Sequence, residues 1–301
     1  MRSHFSYHPV TAGHGPRRTV CLAALALAAG LLVAASCTTT STRQATLQAL
    51  NGVLAGNHRS EESRDRYRHP RETLLFFGMR PETRVLEVWP EPGWYTEVIA
   101  PLVRAHGKYY AAVIAPDPAS RNISQRLETY RSKLAARPDL YDQVVVVNFP
   151  VDGSDALPPN SVDMVVTFRN IHNWMARGQA SQAFATMYKA LKPGGVLGVV
   201  EHRGIPGAPQ DPQAKSGYVE EAYAVKLIEA QGFKLEATSQ VNANPRDTKD
   251  YEQGVWTLPP TYRLGERDKD QYTAIGESDR FTLKFVKLKS VTATTSPSSA
   301  R

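Results

Sequence analysis

Cysteine is nearly absent from this 301-residue chain, which carries two, Cys21 and Cys37. Both precede the part of the sequence patterned like a folded body, so that body holds no disulfide framework, no thiolate metal site and no cysteine nucleophile. The 8 histidines include no pair at the HExxH spacing of a helix-borne metal site, and no metal is expected. Charge of one sign is also scarce: 36 Lys and Arg stand against 29 Asp and Glu, a net +7. Setting aside residues 1–36, with three arginines and no acid, leaves +4. Basic and aromatic residues are not interleaved, so no nucleic-acid partner is expected. The longest apolar run, Cys21 to Val33, falls short of the roughly 18 residues of a spanning helix. No internal repeat is present.

That run has its own logic. Arg2, Arg17 and Arg18 precede it, and Ala34, Ala35, Ser36 and Cys37 close it, the layout of a secretory signal over residues 1–36. Small residues just before a cysteine resemble a bacterial lipoprotein cleavage box, with Ala34 where that family usually has Leu. The resemblance implies lipidation of Cys37 and a periplasmic, membrane-anchored protein. An ordinary signal with Cys37 left as a spare thiol is the alternative, and Arg17–Arg18 also fit a twin-arginine export signal.

Past a polar tether, Leu47, Leu50, Val53 and Leu54 predict a short amphipathic helix within residues 37–65. The charge-dense stretch His58 to Glu72 reads as a solvated face, or alternatively as a cover over a crevice. A helix burying Leu74, Leu75, Phe76 and Phe77 stops at Gly78. The body from 66 to 289 then centres on Val85 to Glu97, VLEVWPEPGWYTE, a buried strand, a tight loop and a helix. Further strands are expected at Lys108–Ile114, Val144–Val147, Val162–Phe168 and Val196–Val200. The helices between them show apolar periodicity, one at Ile123, Leu127, Tyr130 and Leu134 with Asn122 as its cap, another ending at LKPGG. This alternation implies an α/β fold with a doubly wound, mostly parallel sheet. After a helix at Tyr218–Ala230, Phe233–Val241 and Phe281–Leu288 read as an antiparallel pair joined by a long excursion without a helix. Residues 290–301 lack apolar periodicity and read as a disordered tail.

Five parallel strands, an acid closing the first, LKPGG before the fifth and a final antiparallel pair resemble the class I S-adenosylmethionine-dependent methyltransferases. More narrowly, EVWPEPGWYTEVIAP, TFRNIHNW, NANPRDTKDY, GVWTLPP and GESDRFTLKF resemble a group of predicted bacterial methyltransferases. The resemblance implies a seven-stranded Rossmann-like sheet, S-adenosylmethionine as cofactor and methyl transfer to an unidentified small-molecule or protein acceptor. It places Glu87 at the cofactor's amino group, Gly93 at the last glycine of the cofactor loop and Asp117 at the ribose hydroxyls. Asp152 or Asp155 falls near the adenine. Asp117 also suits a turn between two prolines, and Asp152 and Asp155 also suit plain loop acids. Trp89 and Glu91 stand where the family has its other two glycines.

Chemistry would come from the loop after the fourth strand, with His172 as general base, Asn173 orienting it and Trp174 as an apolar wall. Glu201 and His202 close the fifth strand and should face the same crevice. A second class of function fits the altered glycine loop and the export signal: a surface lipoprotein that keeps the fold but binds another small ligand or a protein.

Overall fold

The computed structural model describes residues 42–115 and 120–289, together with His4 and Ser6. The signal, Cys37, Asp117 and the tail all lie outside the described residues. The chain divides into two units, 1–45 and 46–301. In the first, residues 42–45 are helical. No described helix is long and apolar enough to cross a membrane.

The second unit opens with helix α1 over 46–54, whose Leu50 is buried. Helices α2 (Asp65–Arg68) and α3 (Pro70–Phe77) follow, joined at His69 in a left-handed conformation, and α3 stops at Gly78 with φ +85°. Strand β1 (Arg84–Val88) then enters the sheet. Its period-2 alternation sends Leu86 and Val88 into one apolar layer, with Trp174, Phe184 and Ile228. Val85 goes into the other, with Val98, Ile99, Leu127 and Tyr130. Glu87 shares Val85's face, so a carboxyl is carried into an apolar layer.

The remaining elements are α4 (Thr96–Val103), β2 (Lys108–Ile114), α5 (Arg121–Ala136), α6 (Pro138–Tyr141), β3 (Val145–Phe149), β4 (Val162–Phe168), α7 (Ile171–Met175) and α8 (Ala180–Ala190). They are followed by β5 (Leu191–His202), α9 (Glu221–Glu229), β6 (Phe233–Ser239), α10 (Lys269–Ile275) and β7 (Arg280–Lys287). The seven strands form one sheet in the order β3-β2-β1-β4-β5-β7-β6. Pairing is parallel from β3 to β5, while β7 runs antiparallel to both β5 and β6. This is the doubly wound, mostly parallel architecture expected from the sequence.

Strand β3 runs two residues past the expected Val147, β6 ends at Ser239 rather than Val241, α9 starts at Glu221 rather than Tyr218, and three further local expectations change. The cap of α5 is Ser120, whose side chain accepts from Ile123 N at 3.5 Å, rather than Asn122. Strand β5 begins at Leu191 instead of Val196, because Leu191 pairs with Val162 of β4 ahead of an irregularity that resumes at Met164 and Val196. The excursion between β6 and β7 contains α10, none of whose residues is buried. A helix without a buried face has no apolar period to read.

Candidate active site

The strand order reverses between β1 and β4, and in open α/β sheets ligands lie beyond the carboxyl ends of the strands at such a point. A cavity of about 190 Å³ sits there, lined by residues that include Glu87, Trp89, Glu91, Arg126, Arg169, Asn170 and Asn173. Asn170 ties its two edges together, donating from Nδ2 to Val88 O at 3.0 Å and to Thr167 Oγ1 at 3.1 Å.

Glu87 is 3% exposed. Its Oε2 accepts from Tyr109 Oη at 2.6 Å, and a hydroxyl chain continues through Thr96 to Tyr130. Burial, only partly offset by that hydrogen bond and reinforced by Glu91, pushes its pKa up to about 8. At neutral pH the carboxyl is therefore mostly protonated, and it would ionise on meeting a cation. Glu91 is raised by burial too. One of its oxygens, Oε2, has no partner, and neither does Trp89 Nε1.

The loop between β1 and α4 carries its strain on a side chain. Trp89 adopts φ +53°, a left-handed conformation that costs a non-glycine residue roughly 1–2 kcal/mol. Burial compensates: its ring meets Trp174 edge-on at 5.4 Å and lies under the Arg177 guanidinium at 5.7 Å. Gly93 has φ +97°, and a Cβ there would stand 3.0 Å from Tyr130 Cε2. Gly93→Ala is accordingly expected to lower stability by about 1–2 kcal/mol, read as a shift of the urea midpoint at constant m-value.

The charged stretch keeps a solvated side, with Ser60 to Ser63, Arg66, Arg71 and Glu72 exposed, and turns Arg59 and Arg68 inward as a strap over residues 58–69. Glu97, on α4, accepts from Ser60 N and Oγ and from Lys133 Nζ. Trp94 Nε1 donates to Glu61 O at 3.1 Å, and Trp94 packs against the guanidiniums of Arg59 and Arg68 at 5.0 and 4.6 Å. Arg64 and Arg68 thus reach the cavity, where both are among its lining residues. They are held from behind by Glu277, at 2.5 and 3.4 Å. Burial alone would raise the Glu277 carboxyl, but Arg280, Arg68 and Arg64 together hold it far below the usual range.

The other expected site residues scatter. Asn173 lines the cavity, donating weakly to Arg169 O at 3.4 Å. His172 does not line it. On a helix, residues 170 and 173 share a face and 172 points away, here toward His202 and Trp256, with ring centroids at 5.4 and 6.0 Å. Trp174 is buried in the core beneath Trp89, rather than forming a wall of the crevice. Asp152 is exposed and accepts from Ser154 N and Oγ in its own turn, while Asp155 pairs with Lys189 at 3.3 Å. Neither Asp lines the cavity.

Glu201 and His202 build a second cluster behind α7. Glu201 accepts from the Ile171, His172 and His202 backbone N–H groups and stands 3.1 Å from His172 Nδ1. His202 Nδ1 meets Ser278 Oγ at 2.5 Å. Ligand atoms of His172, Glu201 and His202 lie within 4.8 Å of one another. Four N–H groups already occupy the Glu201 oxygens, and burial, His172 and three arginines push the His202 pKa well down. The cluster is a hydrogen-bonded Glu201–His172 pair with His202 beside it, in a cationic setting.

Residues 92–199 match the family model described as a methyltransferase domain. An S-adenosylmethionine-dependent methyltransferase from Aquifex aeolicus superposes with a TM-score of 0.51 at 15% identity, over 75% of this chain and 93% of that one. The fold is that of the class I methyltransferases. The cyclase SpnF gives a TM-score of 0.54 at 14% identity, over 82% of this chain and 96% of its own. Phosphoethanolamine N-methyltransferase 2 of Haemonchus contortus, solved with S-adenosylmethionine, gives 0.51 at 17% identity over 74% and 53% of the two chains. No curated protein matches the sequence. Likeness at these identities is one of architecture, and SpnF illustrates that one architecture serves more than one chemistry.

The arginines were the site residues the sequence did not mark. Arg169 directly follows β4 and could have been read with its neighbours. It takes φ +61°, and burial beside Arg280 lowers its pKa to about 10. Arg64, Arg68 and Arg126 come from segments that only the tertiary fold brings to β1.

Proposed function

We propose that this chain transfers a methyl group from S-adenosylmethionine to an acceptor nucleophile. The observation that carries the reading is the buried Glu87 carboxyl, placed at the switch point of a methyltransferase fold beside a cavity lined by a second raised carboxyl, Glu91, and four arginines. Those residues fit the amino-acid end of the cofactor. Glu87 and Glu91 offer acceptors to an ammonium, and Arg64, Arg68, Arg126 and Arg169 offer donors to a carboxylate. At about 190 Å³ the cavity is smaller than the roughly 300–1,000 Å³ of typical ligand sites, so the strap must shift to admit a whole nucleoside.

When bound, S-adenosylmethionine supplies an electrophilic methyl on a sulfonium. The chain's part is to orient, to exclude water and to accept a proton. The strap forms one side of the cavity through Glu61, Arg64 and Arg68. Glu201 beside His172 Nδ1 favours the tautomer with Nε2 as acceptor, and His172 would serve as base on the side of α7 away from the cofactor cavity. A melting assay with S-adenosylhomocysteine tests the reading. The wild-type Tm should rise with ligand and that of Glu87→Ala should not; an equal rise in both removes Glu87 from the site.

We also propose that Cys37 is lipidated and that the body is exported and membrane-anchored, a reading supported by the arginines, the apolar run and the small residues before Cys37. A C-terminal reporter active only in the cytoplasm should then stay silent. A bright, soluble fusion with residues 1–36 intact by mass spectrometry contradicts it.

A further inference from the structure

A larger cavity, of about 650 Å³, opens beside the strap, with a wall built from the loop after β6. Its residues include Arg66, His69, Asn242, Arg246, Glu277 and Ser278. Nothing in the methyl-transfer reading uses it.

The floor is Asn242, 2% exposed. Its Nδ2 donates to Thr73 Oγ1 and Thr282 Oγ1, both at 2.9 Å. Thr73 Oγ1 also donates to Arg68 O at 3.3 Å, and the amide is placed with Nδ2 toward the two threonines. Oδ1 is then left buried without a donor. A buried acceptor without a partner costs about 1–3 kcal/mol, and a structure keeps such a group where something else satisfies it. His69 Nδ1, on the same cavity, is likewise buried and unpartnered.

The charges at the mouth point the same way. Arg66 and Arg246 both line the cavity. Among the described residues neither has a carboxylate partner, and Arg66 lies instead over the Tyr67 ring at 4.7 Å. The cavity's one acid, Glu277, is already spent on Arg64, Arg68 and Arg280. The site therefore offers two free guanidiniums at its rim and an unfilled hydrogen-bond acceptor at its floor.

We infer that this cavity is a second ligand site, for a small organic anion, a phosphate ester or carboxylate, that also carries a hydroxyl or amine. The anion pairs with Arg66 and Arg246, and the hydroxyl or amine donates to Asn242 Oδ1. The inference involves neither Glu87 nor the cofactor cavity, although Arg66 and His69 lie on the strap that borders both cavities.

Calorimetric titration of the full chain with glycerol 3-phosphate and with L-malate tests it, with glycerol and inorganic phosphate as the separated halves. Saturable one-site binding of at least one of the two anions is expected, tighter than either half. Loss of a charge-assisted contact should weaken it about tenfold or more in Arg66→Ala and in Arg246→Ala, exposed sites whose truncation leaves the fold intact. Asn242→Ala should weaken it further if that variant folds. Binding of neither anion overturns the inference. So does binding unchanged in both arginine variants, or matched by inorganic phosphate alone.

Discussion

Glu277→Ala should cost about 3–5 kcal/mol of stability, the range for removing one partner from a buried ion cluster. The side chain is 3% exposed and faces Arg64, Arg68 and Arg280, of which Arg68 and Arg280 are themselves buried. Its loss leaves those two guanidiniums without a counter-charge in a region that cannot solvate them. The pH signature follows from the sign of the shift. Because the folded-state pKa lies far below the ordinary value of 4.5, the contribution is full above that value and is lost as the pH falls below it. Urea unfolding should therefore show wild type and variant still well apart at pH 4, with less than about 1 kcal/mol of the difference lost, and converging only as the pH falls on toward the folded-state value. Glu252→Ala, breaking the exposed pair with Arg267, serves as the control and should cost no more than about 1 kcal/mol. A loss that small for Glu277→Ala would mean that the strap is not anchored through this residue.

His172→Ala should depress turnover by about 10² to 10⁴, the usual contribution of a positioned general base, while cofactor affinity stays within about twofold. The split matters because His172 also helps hold Glu201, which receives the first backbone N–H groups of α7. A structural role would move affinity and melting temperature together with turnover, since Asn170 and Asn173, at the start of that helix, line the cofactor cavity. His172→Gln keeps a donor to Glu201 without a base. Its turnover should fall as far as that of the alanine variant, with the melting temperature restored.

The sheet was legible because its signals are local. Buried β-branched runs at Val85–Val88, Lys108–Ile114 and Val162–Phe168 each end at a polar or turn-forming residue, and the helices between them keep an apolar period. Glu87 was legible for the same reason, as an acid closing a buried run. Its protonation was not, since that depends on burial in the layer the whole fold assembles, which outweighs the opposing hydrogen bond from Tyr109 on the neighbouring strand. His172 and Asn173 are adjacent in sequence, but a helical turn sends them to opposite sides, and a loop reading of this stretch misses that division. Asp152 and Asp155 looked like adenine contacts by place after β3, whereas Ser154 and Lys189 supply them with local partners. The strap was harder still. A run such as HRSEESRDRYRHPRE reads as solvated because nothing within it shows that Glu97, Trp94 and Glu277 wait for it elsewhere in the chain.

Trp89 is the residue on which the sequence raised the sharpest question, a side chain in place of a glycine. The structure keeps the backbone conformation a glycine would have had, at φ +53°, and buries the indole between Trp174 and Arg177. The loop geometry is thus retained, with the side chain folded into the core and its Nε1 left without a partner.

The most direct test of the central claim is calorimetric titration of the full chain with S-adenosylmethionine across pH 6 to 9, repeated in buffers of different ionisation enthalpy. The Glu87 carboxyl is protonated below a pKa of about 8 and must ionise to hold an ammonium. Affinity should therefore climb with pH below that value and decline again once the cofactor's own α-amine, with an ordinary pKa of about 8, loses its charge, with a proton released from Glu87 per cofactor bound at neutral pH. Glu87→Gln should bind weakly and without the climb. Absence of binding across the range, or binding with no proton release and unchanged in Glu87→Gln, would contradict the account.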